Sequence, residues 1–84
     1  MKGVSILLLS NAVIQRIDFL LNKHQMTLWD LYKKSGIPKS TICNIMNSPN
    51  ALPKLITLQH ICEAFGITIR EFFDDSLFDD TEQD

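Results

Sequence analysis

A chain of 84 residues has room for one small domain, which buries only about 60% of the surface of its unfolded chain. Because the stability of so small a domain is limited, assembly with a second copy would help. The formal charge of −2 is unevenly divided. Residues 1–70 carry eight basic and three acidic side chains, a net charge of +5, whereas residues 71–84 carry seven acidic ones. The moderately basic part allows a nucleic-acid partner.

Residues 1–10, MKGVSILLLS, combine a lysine with a short apolar run. The run is far shorter than the roughly 20 apolar residues that span a bilayer. Gln15 and Arg16 follow soon after it, and there is no Ala-x-Ala cleavage pattern of a signal peptide. We therefore expect a cytoplasmic protein with no membrane partner.

Residues 4–9 of this N-terminal segment, apolar except for Ser5, need to be shielded from water. We expect a homodimer, with residues 1–10 as a possible dimerisation element. If the segment continues the first helix, Leu8, Ala12 and Phe19 share one face. If it is extended, it could pair with its copy across a two-fold axis. Packing within the same chain is the alternative.

The first predicted helix covers residues 11–24. Its apolar stripe consists of Ile14, Ile17, Leu21 and His24, with Val13 and Leu20 at the borders. Phe19 lies about 140° from that stripe, which places it on the surface. His24 is a border residue near the helix C-terminus, where the dipole favours a cation, and nothing in the sequence suggests that it acts as a general base.

The second predicted helix covers residues 27–35. Thr27 is a good N-cap, Asp30 stands near the positive end of the helix dipole, and Gly36 provides a left-handed C-terminal cap. The periodicity separates a buried stripe from a solvent-exposed one. The buried stripe is Leu28, Leu31, Tyr32 and Ser35, and the solvent-exposed stripe is Asp30, Lys33 and Lys34.

The third predicted helix covers residues 38–47 and begins at a proline, which is tolerated in a first helical turn. Its apolar phase collects Pro38, Ile42, Ile45 and Met46. Its outer face is small and amide-rich, with Ser40, Asn44 and Asn47 and with Cys43 on the flank. Helices joined by so short a turn cross steeply, so the outer face can stand clear and enter a major groove of DNA.

After a loop at residues 48–54 that contains Pro49 and Pro53, the fourth predicted helix covers residues 55–65 and ends at Gly66. We expect its buried face to be Leu55, Leu58, Ile61, Cys62 and Phe65, with His60 exposed. A capping box of Thr68 and Glu71 starts the fifth helix, 68–73, whose aromatic residues should close the core.

The acidic residues 75–84 are predicted to be a solvated, flexible tail that follows a folded domain of residues 11–74. A sharper alternative is that the tail mimics the charge of DNA and masks the basic face. Leu77 and Phe78 are its only anchors for such a role.

The run S35-G36-I37-P38-K39-S40-T41-I42, with T27-L28 before it and I45 after it, resembles the Cro and phage-repressor type helix-turn-helix domain (the XRE family). The resemblance extends from about Val13 to Phe73. Further matches are Pro53, T57-L58 and residues 61–67. Three residues depart from the pattern: Tyr32 replaces a small Ala, Leu28 replaces a Gln that commonly touches phosphate, and Pro38 replaces a capping Ser or Thr.

This resemblance implies a fold, a function and a binding surface. The fold is an all-α, compact five-helix bundle, and the function is that of a sequence-specific regulator that binds double-stranded DNA, with repression as the expected role. Lys39, Ser40 and Asn44 match positions that reach base edges. Asn44 would read adenine, and Lys39 would favour guanine or a phosphate. The expected contacts to the DNA backbone are Thr27, Lys34, Thr41, Asn47 and Lys54.

Other classes of function find less support. His60 and Cys62 are two residues apart on one predicted helix and point to different sides, so we expect no metal site. Cys62 reads as a core thiol and Cys43 as a half-exposed one, and a cytosolic disulfide is disfavoured. We find no catalytic constellation, no Gly-rich phosphate loop, and no indication of a cofactor or a small-molecule substrate. A protein-interaction module of the same fold, such as an antitoxin-like or adaptor subunit, is the alternative.

Overall fold

The computed structural model describes residues 7–48, 52–79 and 81–82, with only the backbone of residues 7, 81 and 82. The described residues form five α-helices, as the sequence predicts. They are α1 (Leu9–Lys23), α2 (Leu28–Ser35), α3 (Lys39–Asn47), α4 (Leu55–Phe65) and α5 (Ile69–Phe72). A single 3-10 turn follows at Ser76–Phe78, and two short parallel strands, β1 (Leu7–Leu8) and β2 (Thr81–Glu82), pair with each other.

The predicted start and stop signals set the helix boundaries. Thr27 and Thr68 each cap a helix through a reciprocal capping box with the acidic residue three positions later. Gly36 and Gly66 end α2 and α4 with φ of 73° and 74°, values that a residue without Cβ adopts at little cost. The cap at Gly36 begins the short turn between α2 and α3. Helix α2 also packs against α4.

The core draws on every helix. Leu31 of α2 and Phe72 of α5 are completely buried. The other buried apolar residues around them are Val13, Ile17, Leu20, Leu21, Ile37, Ile42, Ile45, Leu58, Ile61, Cys62 and Phe65. His24 stays exposed near the end of α1, with its ring centroid 5.5 Å from that of Phe65. The apolar stripes of the sequence therefore converge on one core.

Besides His24, three more residues predicted for these stripes are exposed. Leu55 is 72% exposed because it lies in the first turn of α4, where it only borders a shallow crevice shared with Leu9 and Phe73. Leu28 is exposed in the first turn of α2. Pro38 is exposed because α3 begins one residue later, at Lys39, and leaves the ring as the N-cap. Periodicity assigns a face of a helix, but the first turn extends beyond the core.

Arg16 is a charged residue that the fold buries. Its Nε donates to the carbonyl oxygen of Phe72 at 2.7 Å, and one terminal nitrogen donates to the carbonyl oxygen of Glu71 at 2.9 Å. The other terminal nitrogen is 3.2 Å from a carboxylate oxygen of Asp75. Arg16 thus links α1 to the end of α5, and its guanidinium binds groups of the protein itself.

Residues 75–79 extend the packed structure beyond the boundary that the sequence places after Asp74. The ring of Phe78 lies 4.7 Å from that of Phe73 and 6.0 Å from that of Phe72, measured between centroids. The side chain of Asp75 caps the 3-10 turn by accepting from the backbone N–H of Leu77. The predicted flexibility of the tail stays a prediction, and residues 80, 83 and 84 lie outside the described residues.

Most of the predicted dimerisation element, residues 1–6, also lies outside the described residues. Leu7 and Leu8 are extended, and they pair with Thr81 and Glu82 of the same chain. The helix begins at Leu9, two residues before its predicted start. Ala12 is fully buried, so it cannot share an exposed face with Phe19, which is 48% exposed.

Candidate nucleic-acid interface

The outer face of α3 is polar and open to solvent. Ile42 and Ile45 turn into the core, whereas Ser40, Asn44 and Asn47 are exposed on the other side. Lys39, Thr41 and Cys43 complete the surface of the helix, with Thr41 and Cys43 half-buried. The structure therefore presents the amide-rich face that the periodicity predicts, on a helix that packs against α2.

The start of α2 is organised by Thr27 and Asp30. The backbone N–H of Thr27 donates to the Asp30 carboxylate at 2.9 Å, its hydroxyl donates to the same oxygen at 3.1 Å, and the N–H of Asp30 donates back to the hydroxyl at 3.1 Å. The hydrogen bonds from the Thr27 backbone and hydroxyl hold the pKa of Asp30 below its ordinary value of 3.8, with help from Lys34 and Lys33. Both donors of Thr27 are engaged in the cap, which leaves it poorly placed to bind phosphate.

A cleft of about 390 Å³ separates α3 from the start of α4. It brings together three of the predicted DNA contacts, Thr41, Asn44 and Lys54, and adds Ser48 and Thr57, which the sequence does not predict as DNA contacts. Lys54 is the N-cap of α4, and its side chain makes no capping hydrogen bond. The first amides of α4 thus lack a side-chain cap beside a lysine, an arrangement that attracts anions.

A second, more apolar crevice of about 220 Å³ lies where α2 meets α3. Its walls are Leu28, Trp29, Tyr32, Lys39, Ile42 and Cys43. Trp29 is 53% exposed, and its ring centroid lies 5.9 Å from the Lys33 ammonium and 5.8 Å from the Lys39 ammonium. Sequence reasoning missed Trp29. The available signal was its spacing of four residues from Lys33, which puts both on one side of a helix.

The predicted site residues are therefore grouped unevenly. The residues of α3 and Lys54 border the two neighbouring openings or the exposed face between them. Lys34 is exposed in the last turn of α2, and Thr27 is occupied at the other end of that helix. Lys33 and Lys39 lie beside the crevice between α2 and α3, and Lys54 lines the cleft at the start of α4, whereas Arg16 is buried in its own contacts.

The cysteines and histidines do not assemble into a metal site. Cys43 and Cys62 are both free thiols, and burial raises the pKa of Cys62 to about 11. His60 is exposed and faces Glu63 at 3.4 Å on the surface of α4. Within the described part of the chain, no three potential ligands of the His, Cys, Asp and Glu types come together. None of the helices described is both long and apolar enough to cross a membrane.

Comparison with known proteins assigns the family. Searches among curated proteins and among solved structures found no significant match. The family model of the Cro/C1-type helix-turn-helix DNA-binding domain matches residues 16–76, which include α2, the turn at Gly36, α3 and the helices after them. Because most of its length is matched by this family model, the chain belongs to the Cro/C1-type helix-turn-helix DNA-binding domain family and is a DNA-binding regulator.

Proposed function

We propose that the protein is a sequence-specific transcriptional repressor that reads the major groove of double-stranded DNA with α3. The observation that carries the proposal is the exposure of Ser40, Asn44 and Asn47 on the face of α3 opposite the buried Ile42 and Ile45. A helix with small polar side chains on its free face fits a major groove. Repression is the simplest outcome, because occupying an operator requires no contact beyond the DNA itself.

Asn44 is the proposed reader of adenine. Its amide can donate to N7 and accept from the N6 amine, and the loss of one good pair of this kind costs roughly 1 to 3 kcal/mol of discrimination. Ser40 would reach a neighbouring base edge, and Lys39 a guanine or a phosphate. Lys34, Thr41, Asn47 and Lys54, with a weaker role for Thr27, would position the domain on the phosphates without selecting sequence.

The test begins with selection of binding sites from a random DNA pool. Asn44→Ala and Lys34→Ala are then compared on the selected site and on scrambled DNA of the same length. We expect Asn44→Ala to lose preference at one base pair and to keep its nonspecific affinity. We expect Lys34→Ala to weaken binding to both duplexes and to flatten the salt dependence. Full preference for the selected site in Asn44→Ala would contradict the assignment of the reading face.

A protein-interaction module is the second candidate, and the exposed apolar residues Leu52, Leu55 and Ile56 at the start of α4 favour it. The two functions differ in their response to salt. DNA binding releases counterions and weakens steeply as salt rises, whereas an apolar protein interface is much less sensitive. Gel-shift assays with a generic duplex at two salt concentrations distinguish them, because absence of any salt-sensitive DNA binding would favour the protein partner.

We also propose that the protein acts as a homodimer in the cytosol. Phe19 and the Leu55–Ile56 pair leave apolar surface in water, which a second copy would cover. Removing residues 2–6 leaves β1 and α1 intact and tests the N-terminal extension, and Leu55→Ser with Ile56→Ser tests the start of α4. Mass in solution is the measurement. A monomeric wild-type protein at concentrations that saturate DNA would contradict the dimer.

A further inference from the structure

Trp29 is a large aromatic residue whose exposure the core does not explain. It is the only tryptophan of the chain and the second residue of α2, and its ring meets Tyr32 edge-on at 5.1 Å between centroids. Among the described residues, no hydrogen-bond acceptor is paired with its indole N–H. A buried or bound indole usually finds one. The ring is thus held in place on one side, with apolar surface and a donor open on the other.

Positive charge is concentrated around this ring. Lys33 and Lys39, from two different helices, hold their ammonium groups within 6 Å of the ring centroid. Such cation–π contacts restrain two otherwise flexible side chains next to the apolar crevice between α2 and α3. The nearest carboxylate on α2, that of Asp30, accepts two hydrogen bonds from Thr27 instead. The cluster therefore offers two cations, one N–H donor and an apolar surface.

The backbone of DNA has the complementary chemistry, because anionic phosphates alternate along it with the apolar faces of deoxyribose. We propose that Trp29, Lys33 and Lys39 form a docking site for one strand of the sugar-phosphate backbone of bound DNA. A phosphate is bound by the two ammonium groups and by the indole N–H, and the adjacent sugar packs on the indole ring. This inference rests on the proposed function, and it assigns Lys39 to a phosphate rather than to guanine.

The cluster fits a DNA backbone better than a protein partner. An apolar protein surface placed on Trp29 would remove two ammonium groups from water without supplying a negative charge, which is costly. A phosphate supplies that charge and leaves the lysines hydrated at their edges. Leu28, the neighbour of Trp29, has no polar side-chain atom, so it supplies no side-chain donor to a phosphate at this position.

The first experiment uses the wild-type protein, in which all tryptophan fluorescence comes from Trp29. Binding is followed independently by the anisotropy of a fluorophore-labelled duplex. Addition of scrambled duplex should shield Trp29 from quenching by acrylamide, a neutral quencher that does not compete with phosphate. Unchanged quenching on protein that is bound to the duplex would overturn the docking site and leave the proposed function standing.

The second experiment compares variants on the selected and the scrambled duplex. Trp29→Ala should weaken binding to both by a similar factor, roughly 5- to 30-fold, as expected for an aromatic contact with one hydrogen bond to a charged group. His60→Ala is the control, because His60 is an exposed ring on α4 that faces Glu63 and borders neither opening of the interface. Its affinity should stay within about twofold of wild type.

Lysine variants complete the test. Lys33→Ala and Lys39→Ala should each reduce the slope of log affinity against log salt by about the contribution of one phosphate contact. Lys23 is an exposed lysine in the last turn of α1, and Lys23→Ala should leave the slope unchanged. A loss confined to the selected duplex would show that Trp29 or Lys39 reads a base, which overturns the backbone assignment. If Trp29→Ala does not fold, the quenching result and the lysine slopes decide. If the wild type binds no duplex, the docking site and the proposed function both fall.

Discussion

Replacing Arg16 by methionine should destabilise the fold strongly. Methionine keeps the apolar stem of the side chain but removes all three of its hydrogen bonds. The carbonyl oxygen of Phe72 then loses its 2.7 Å donor inside the protein. A hydrogen bond to a charged group contributes roughly 1.5 to 3 kcal/mol, and an acceptor left unsatisfied in the interior adds to its loss.

The other two contacts contribute less. The carbonyl oxygen of Glu71 keeps the backbone N–H of Asp74 at 3.2 Å, so its loss costs about 1 kcal/mol. The side chain of Asp75 is 27% exposed, and an ion pair with this much access to water contributes about 0.5 kcal/mol. We expect Arg16→Met to lower the free energy of unfolding by about 3 to 4 kcal/mol in total, a large share of the 5 to 15 kcal/mol typical of a domain.

Urea unfolding followed by far-UV circular dichroism measures this change. Asp75→Asn is the control, because it removes the charge of the partly exposed partner and leaves both backbone contacts of Arg16 in place. It should cost less than about 1 kcal/mol. A loss below about 1 kcal/mol in Arg16→Met would refute the reasoning, since the buried hydrogen bonds would then contribute no more than a surface ion pair.

Three further predictions concern the helix caps and the thiols. Because folding lowers the pKa of Asp30, wild type should be more stable than Asp30→Asn above pH 3.8, and this difference should disappear as the pH falls through the lowered pKa. A difference in the free energy of unfolding that stays constant with pH in urea titrations would contradict this. Gly36→Ala should cost roughly 1 kcal/mol from backbone strain alone, since a Cβ there meets no atom within 4 Å, and Gly36→Asn should cost less. A disulfide reagent at neutral pH should label Cys43 at once and Cys62, with its pKa of about 11, only on unfolding; equal rates would contradict its burial.

The sequence predicts the helices well where local chemistry decides them. Thr27 and Gly36 impose a cap at each end of α2, and the spacing of Ile42 and Ile45 decides which side of α3 is buried. These signals act within one or two turns, so they are visible without the rest of the chain. The exposed polar face of α3 follows from them directly.

Local sequence signals do not predict contacts between distant parts of the chain. The sequence does not reveal that Arg16 is buried, because nothing near it in the chain shows that two carbonyl oxygens of α5 accept hydrogen bonds from its guanidinium. Phe78 looks like an isolated apolar residue in an acidic tail until Phe72 and Phe73 are placed beside it. For the same reason the sequence does not reveal the cluster of Trp29, Lys33 and Lys39, because Lys39 reaches Trp29 only after the turn at Gly36 has brought α3 against α2.

The pairing of β1 with β2 and the hydrogen bonds of Arg16 also bear on the order of folding. The Arg16–Phe72 bond joins residues 56 positions apart, and β1 and β2 are separated by all five helices. Closing so long a loop costs entropy before any contact compensates for it, whereas α2 and α3 meet after a turn of three residues. The helix-turn-helix unit can thus form before these contacts close around it. Loss of the Arg16 hydrogen bonds should therefore accelerate unfolding and leave the folding rate almost unchanged.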